Sequence, residues 1–201
     1  MHTIFCGAEY AYNFVFEMSA DLIPKDFYSF ESGTPFDRCI ECDKYLLDES
    51  TEYIIEKAVR NYDGYQARDV IFDYAICLDC AENLRKAVSK QSMSEMINYF
   101  QRNLSLAAQQ KLRAGKSGDS LSRCMVKNIH VDDCQEYQLF AHCKGQNLSA
   151  VQAPYLISGA VIEELSQLLS DATIDEMNGF FNRHFSPDPT LFEPTPKLLL
   201  V

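Results

Sequence analysis

Two pairs of cysteines constrain this chain more than anything else in it. Cys39-Ile40-Glu41-Cys42 and Cys77-Leu78-Asp79-Cys80 each set two thiols two residues apart, and 34 residues separate the pairs. A backbone that turns tightly between such cysteines aims both sulfurs at one point. Two such turns supply the four thiolates of a closed tetrahedral site, the donor set of structural zinc, with Zn–S bonds of about 2.3 Å. The predicted ligands are Cys39, Cys42, Cys77 and Cys80 around one zinc ion. Four cysteines also suit an iron–sulfur cluster, and spacing alone does not separate the two metals. A closed site has no position for water or substrate, which argues for a structural role and against metal catalysis.

The residues between the pairs predict a β-hairpin. Segment 52–60 is rich in β-branched and aromatic residues, 61–65 (Asn-Tyr-Asp-Gly-Tyr) supplies turn chemistry, and 69–76 reads as a second strand. Residues 81–90 look helical, so the second pair opens a helix, whose exposed amides and dipole favour thiolates. The order of cysteine pair, hairpin, and cysteine pair at a helix start resembles a treble-clef zinc fold over residues 36–90. That resemblance implies a structural metal.

The remaining chain predicts a second unit. Ser92-Met93-Ser94-Glu95 fits a capping box, followed by a helix with Met93, Ile97, Phe100 and Leu104 on one face. Gly115-Lys116-Ser117-Gly118 ends it; the earlier glycine of a phosphate loop is missing, since Gln110 stands there. Strands at 123–131 and 136–143 would form a second hairpin around Asp132-Asp133-Cys134. Helices follow, one from Ser158 and one from a second capping box at Thr173-Ile174-Asp175-Glu176. No repeat at a fixed period is evident. The fold expected is α+β: a treble-clef-like four-cysteine zinc module followed by a small α/β unit. The divisions are an aromatic-rich segment at 1–35 (with a strand at Tyr12–Phe16 and Cys6 in a core), the module at 36–90, a basic helix and linker at 91–120, and the α/β unit at 121–201, which ends in an apolar arm.

Charge narrows the partners. The net charge is −11, and four thiolates around a divalent ion add to it. Such a surface repels phosphate, which makes a nucleic-acid partner unlikely on this reading and favours a protein. One stretch runs the other way. Nine bases lie from Arg85 to Lys127 against Glu95 and Asp119, which leaves nucleic acid or an acidic partner open. No apolar run approaches the ~20 residues of a membrane span, and Met1–Cys6 carries no base and no export pattern. The expected compartment is the cytoplasm, where thiols stay reduced.

Two enzymatic alternatives compete with a zinc-binding interaction protein. Cys77 and Cys80 follow an apolar strand and precede a helix, as the dithiol of a thiol-disulfide oxidoreductase does. Against this, Asp79 lies between them, and no proline occurs from residue 36 to 153. A metal-dependent hydrolase would draw on His130 and His142, with Cys124, Cys134 and Cys143 nearby in sequence as a second metal site. His142 and Cys143 fall on opposite faces of a regular strand, which weakens that set.

Overall fold

The computed structural model describes residues 21–62, 64, 67–113 and 118–185. The strand expected at 12–16, Cys6, the Gly115–Ser117 linker residues and the C-terminal arm lie outside them. The elements are β1 (Glu52–Asn61), β2 (Arg68–Cys77), α1 (Leu78–Ala87), α2 (Lys90–Asn103), α3 (Leu106–Arg113), β3 (Glu136–Lys144), β4 (Asn147–Leu148), β5 (Tyr155–Ser158), α4 (Gly159–Ser166) and α5 (Asp171–His184). The protein is α+β with one antiparallel sheet, ordered β2-β1-β3-β4, with β5 beside the other end of β3. Strands from residues 36–90 and from 121–201 thus share that sheet. No helix among the described residues is long and apolar enough to cross a membrane.

Both faces of β1 are covered from Ile55 to Val59, where Glu56 and Lys57 are the polar residues among apolar ones. On one face, Tyr74 and Phe72 of β2 meet Phe180 and Phe181 of α5, with ring centroids 5.3 and 5.0 Å apart. On the other, Lys57 pairs with Asp73 at 3.3 Å. Both ions are mostly buried and each also holds backbone: the Lys57 amine donates to the Tyr28 carbonyl, and Asp73 accepts from the Phe30 amide at 2.7 Å. A charge so buried needs its partner, and this pair clamps residues 21–34 across the sheet.

The described residues repeat one arrangement, in 38–104 (the first unit) and in 123–185 (the second unit). The turn at Cys39 closes with Cys39 N–H to Lys44 O (3.0 Å) and Asp43 N–H to Cys39 O (2.9 Å). The turn at Cys124 closes with Cys124 N–H to Ile129 O (2.8 Å) and Asn128 N–H to Cys124 O (2.8 Å). Asp43 and Asn128 both take left-handed backbone, at φ 58° and 56°. Asp and Asn tolerate that region better than other side chains. Arg38 donates to the Asp43 carbonyl at 3.2 Å, and Arg123 to the Asn128 carbonyl at 2.9 Å. Each turn then docks alike on its hairpin, Ile40 N–H on Ala75 O and Met125 N–H on Leu156 O, both at 2.9 Å. The hairpin registers agree too, since Tyr53 faces Cys77 and Tyr137 faces Ser158.

The helices complete the match. α2 and α5 both have 14 residues and follow N-cap serines, Ser89 and Ser170. Aligning residues 74–103 on 155–184 without a gap gives nine identities in 30 positions, among them Tyr74/Tyr155, Leu84/Leu165, Met96/Met177 and Arg102/Arg183. No repeat at a fixed period is expected from the sequence; the repeat found has a changing offset. The offset is 85 residues at the turn (Cys39 to Cys124), 84 at the first strand (Tyr53 to Tyr137) and 81 from the second strand on (Cys77 to Ser158), so no fixed period exists. Three residues of the shift come from a shorter second hairpin, and one from the link between turn and first strand.

An approximate two-fold relates the units, because β1 and β3 pair antiparallel with Glu56 directly opposite its counterpart Phe140. Around the same axis the two N-caps exchange bonds. Ser89 N–H donates to Thr173 Oγ1 at 3.0 Å, and Ser170 N–H donates to Ser92 Oγ at 2.9 Å. The hydroxyls of Ser89 and Ser170 meet at 3.0 Å, and those of Thr173 and Ser92 at 3.1 Å. Ser92 and Thr173, predicted as caps, are instead the third helical residues. They are almost fully buried, each serving the other unit's helix start. The strand expected at 123–131 is also corrected. The left-handed residue Asn128 closes a turn there, and β3 takes β1 as its partner.

Candidate metal centre

Cys39 and Cys42 come from the first turn, Cys77 is the last residue of β2 and the N-cap of α1, and Cys80 lies in the first turn of α1. The four sulfurs lie within 4.8 Å of one another, and Cys42 Sγ to Cys77 Sγ is 3.7 Å. Four thiolates at about 2.3 Å from one tetrahedral ion stand about 3.8 Å apart, so the cluster has the size such an ion requires. Cys39 and Cys77 are buried, Cys80 is half-buried and Cys42 is exposed. The Cys77 amide donates to Cys39 Sγ at 3.4 Å, which binds turn to helix start without a metal.

The thiols do not titrate as the helix start alone predicts. The backbone amide of Lys44 holds the Cys42 thiol below its ordinary range. Burial raises Cys77, and burial together with the neighbouring sulfurs raises Cys80. The expected depression at Cys77 and Cys80 is therefore outweighed. Crowded sulfurs resist ionising together until a cation offsets their charge. Cys77, the nucleophile of the oxidoreductase alternative, is 1% exposed. A buried thiol with a raised pKa reacts poorly, so the dithiol alternative is not favoured.

Among the described residues, no other group of three or more ligand-type side chains converges. His130 turns to Asp132 at 3.5 Å and caps a short 3-10 turn, and His142 lies against Glu52 at 3.3 Å. Cys134 donates to the His130 carbonyl, while Cys143 is fully buried. The set Cys124, His130, Cys134, His142 and Cys143 is therefore not a gathered site.

The repeat explains why Cys124 remains. It holds the place of Cys39, while Lys127, Ser158 and Val161 hold those of Cys42, Cys77 and Cys80. Ser158 donates to Cys124 Sγ from its amide at 3.4 Å and from its hydroxyl at 3.3 Å. Lys127 reaches across to Glu164 on α4, and Val161 is fully buried. An ion pair and two hydrogen bonds to sulfur join turn to helix start where the first unit gathers four thiols. Sequence reasoning missed this because only one of four ligand positions keeps its cysteine.

Glu41, inside the first turn, accepts from Arg183 at 2.8 Å and sits 2.9 Å from His184. Burial pushes its carboxyl up, but these two partners outweigh that and hold it below its usual range. The cysteine cluster is thereby tied to the end of α5 in the other unit.

No protein-family model matches the chain, and no curated protein or solved structure matches it.

Proposed function

We propose that the chain is a non-catalytic zinc-binding protein that acts by contacting another protein. One Zn²⁺ held by Cys39, Cys42, Cys77 and Cys80 would fasten the first turn to α1, making residues 36–90 a treble-clef-like module. The observation that carries this reading is the convergence of four sulfurs from two separated pairs within 4.8 Å. The second unit supports a purely structural metal. It keeps the same turn, hairpin and helix start with other fastenings, so the cysteines serve architecture and not a reaction. Zinc fits the donor set without redox chemistry, and a reducing compartment such as the cytoplasm keeps the thiolates available.

A protein partner fits better than nucleic acid because the net charge is −11 and several of the bases between Arg85 and Lys127 already have acidic or backbone partners. Arg85 pairs with Glu82, Lys127 with Glu164, and Arg123 with its own turn. The test is metal analysis of protein purified without added metal. One zinc per chain and no iron are expected, with a cobalt-substituted form showing tetrahedral thiolate spectra. A folded, metal-free chain whose Cys77 and Cys80 cycle between dithiol and disulfide would replace this reading with the oxidoreductase.

A further inference from the structure

The two units differ in how they fill the space beside one tyrosine. In the second unit's helix layer, Tyr74 and Phe181 are covered by two further rings. Phe72 lies 6.1 Å from Tyr74 and 5.0 Å from Phe181; Phe185 lies 5.9 and 5.5 Å from the same two. The counterparts of Tyr74 and Phe181 are Tyr155 and Phe100, whereas the counterparts of Phe72 and Phe185 are Ala153 and Leu104. Both covering rings are missing there. Tyr155 stacks instead on Phe140 at 5.0 Å, and a pocket of about 180 Å³ opens beside Tyr155 and Phe100, lined also by Met93, Met96, Met177 and Leu84. A cavity of about 150 Å³ lined by apolar side chains takes a benzene ring, and methionines adapt to irregular guests.

The mouth of the pocket has its own chemistry. Val88, Met93 and Ile97 continue into a wider, shallower depression edged by Arg85, Lys86 and Lys90. Ile97 is half-exposed on the rim. Glu176 is the acid among the pocket's lining residues. On a chain of net charge −11, Lys86 and Lys90 give this mouth a basic edge, with Arg85 shared with Glu82 at 3.3 Å. Fields of one sign around a cleft select guests of the other.

We propose that the groove between α1 and α2 binds an aromatic side chain carried on an acidic segment of a partner protein. The ring would lie against Phe100, Tyr155 and the methionines, and the flanking carboxylates would meet Lys86 and Lys90 and compete with Glu82 for Arg85. This names the contact surface for the partner assumed under Proposed function, and rests on that reading only in taking the occupant to be a protein.

The methionine methyls report directly. Full-length, zinc-loaded chain with ¹³C-methyl methionine would be titrated with three capped peptides: Glu-Glu-Phe-Glu-Glu, Glu-Glu-Ala-Glu-Glu and Lys-Lys-Phe-Lys-Lys. The first is expected to shift Met93, Met96 and Met177 while Met125, in the second turn, stays still. The other two should bind at least tenfold more weakly. Ala87→Phe, which puts a ring on the exposed lining of the pocket, should weaken the first peptide about tenfold. Arg85→Glu with Lys90→Glu, both on the surface, should reverse the preference between acidic and basic peptides; this pair decides the matter if Ala87→Phe does not fold. Equal binding of the alanine peptide, or unmoved methyls at millimolar peptide, overturns the proposal. So do methyl shifts that follow protein concentration alone, which would put a second copy in the groove. Zinc content measured on the same sample keeps this outcome separate from the metal reading, since a one-zinc protein deaf to all three peptides fails here alone.

Discussion

The first unit gathers four thiols between its turn and its helix start; the second makes the same junction with Lys127–Glu164 and Ser158. The backbone hydrogen bonds of the two turns agree nearly bond for bond. The lesson is that this backbone asks only for a fastening between turn and helix, and its chemistry is free. A closed metal site can supply roughly 10 kcal/mol or more of folding free energy. A half-exposed ion pair with two weak bonds to sulfur supplies a small fraction of that. The second unit must therefore lean on packing, and Val161, Leu165, Phe180 and Leu156 in it are completely buried.

With zinc bound as proposed, the comparison breaks most visibly on its removal. Chelation, or Cys77→Ser, is expected to abolish the cooperative thermal transition of the whole chain, followed by circular dichroism, because β1 and β3 share one sheet. On the order of 10 kcal/mol is at stake. Survival of a sharp transition after chelation would show that the first unit holds itself together as the second does. The reverse exchange comes next. Lys127→Cys with Ser158→Cys and Val161→Cys rebuilds the ligand set in the second unit, and two zinc ions per chain are expected by mass spectrometry. A folded triple variant holding one ion would mean that the turns are alike in hydrogen bonds but not in the reach of their side chains.

Glu56 sharpens the comparison by pH. It is fully buried, accepts the Tyr74 hydroxyl at 2.6 Å, and burial pushes its carboxyl up to about 8. Its counterpart is the apolar Phe140. The folded chain holds this proton more tightly than the unfolded one. Its contribution is full below the ordinary value of 4.5, declines between 4.5 and about 8, and is level above. The decline is about 1.4 kcal/mol per pH unit. Urea unfolding from pH 5 to 9 should show it in the native chain and lose it in Glu56→Gln. An unchanged slope in the variant would place the pH dependence elsewhere. The smallest effect expected is at the N-caps. Ser89→Ala and Ser170→Ala should each cost about 1 kcal/mol. The double variant should cost less than the sum, because the two hydroxyls touch. Unequal single costs would show that the axis between the units is only geometric.

The first unit was far more legible from sequence than the second. Its strands, expected at 52–60 and 69–76, are Glu52–Asn61 and Arg68–Cys77, because β-branched residues and a turn rich in Asn, Asp and Gly marked them. The four sulfurs were found from spacing alone. In the second unit, residues 123–131 carry enough apolar side chains to pass for a strand. The deciding feature is one left-handed residue, Asn128, which spacing does not reveal. The capping boxes were placed three residues late because Ser92 and Thr173 have cap chemistry and spend it on the neighbouring helix. The repeat stayed hidden since each hairpin loop changes the offset, and the most recognisable residues, three of four cysteines, are the ones exchanged.

The pairing of β1 with β3 has one more consequence. Cut from its neighbour, either unit would present that strand as a bare edge, and the surface best shaped to cover it is its own likeness, turned through half a circle. The fold has the two-fold arrangement of a dimer within a single polypeptide, its halves fastened by different chemistry.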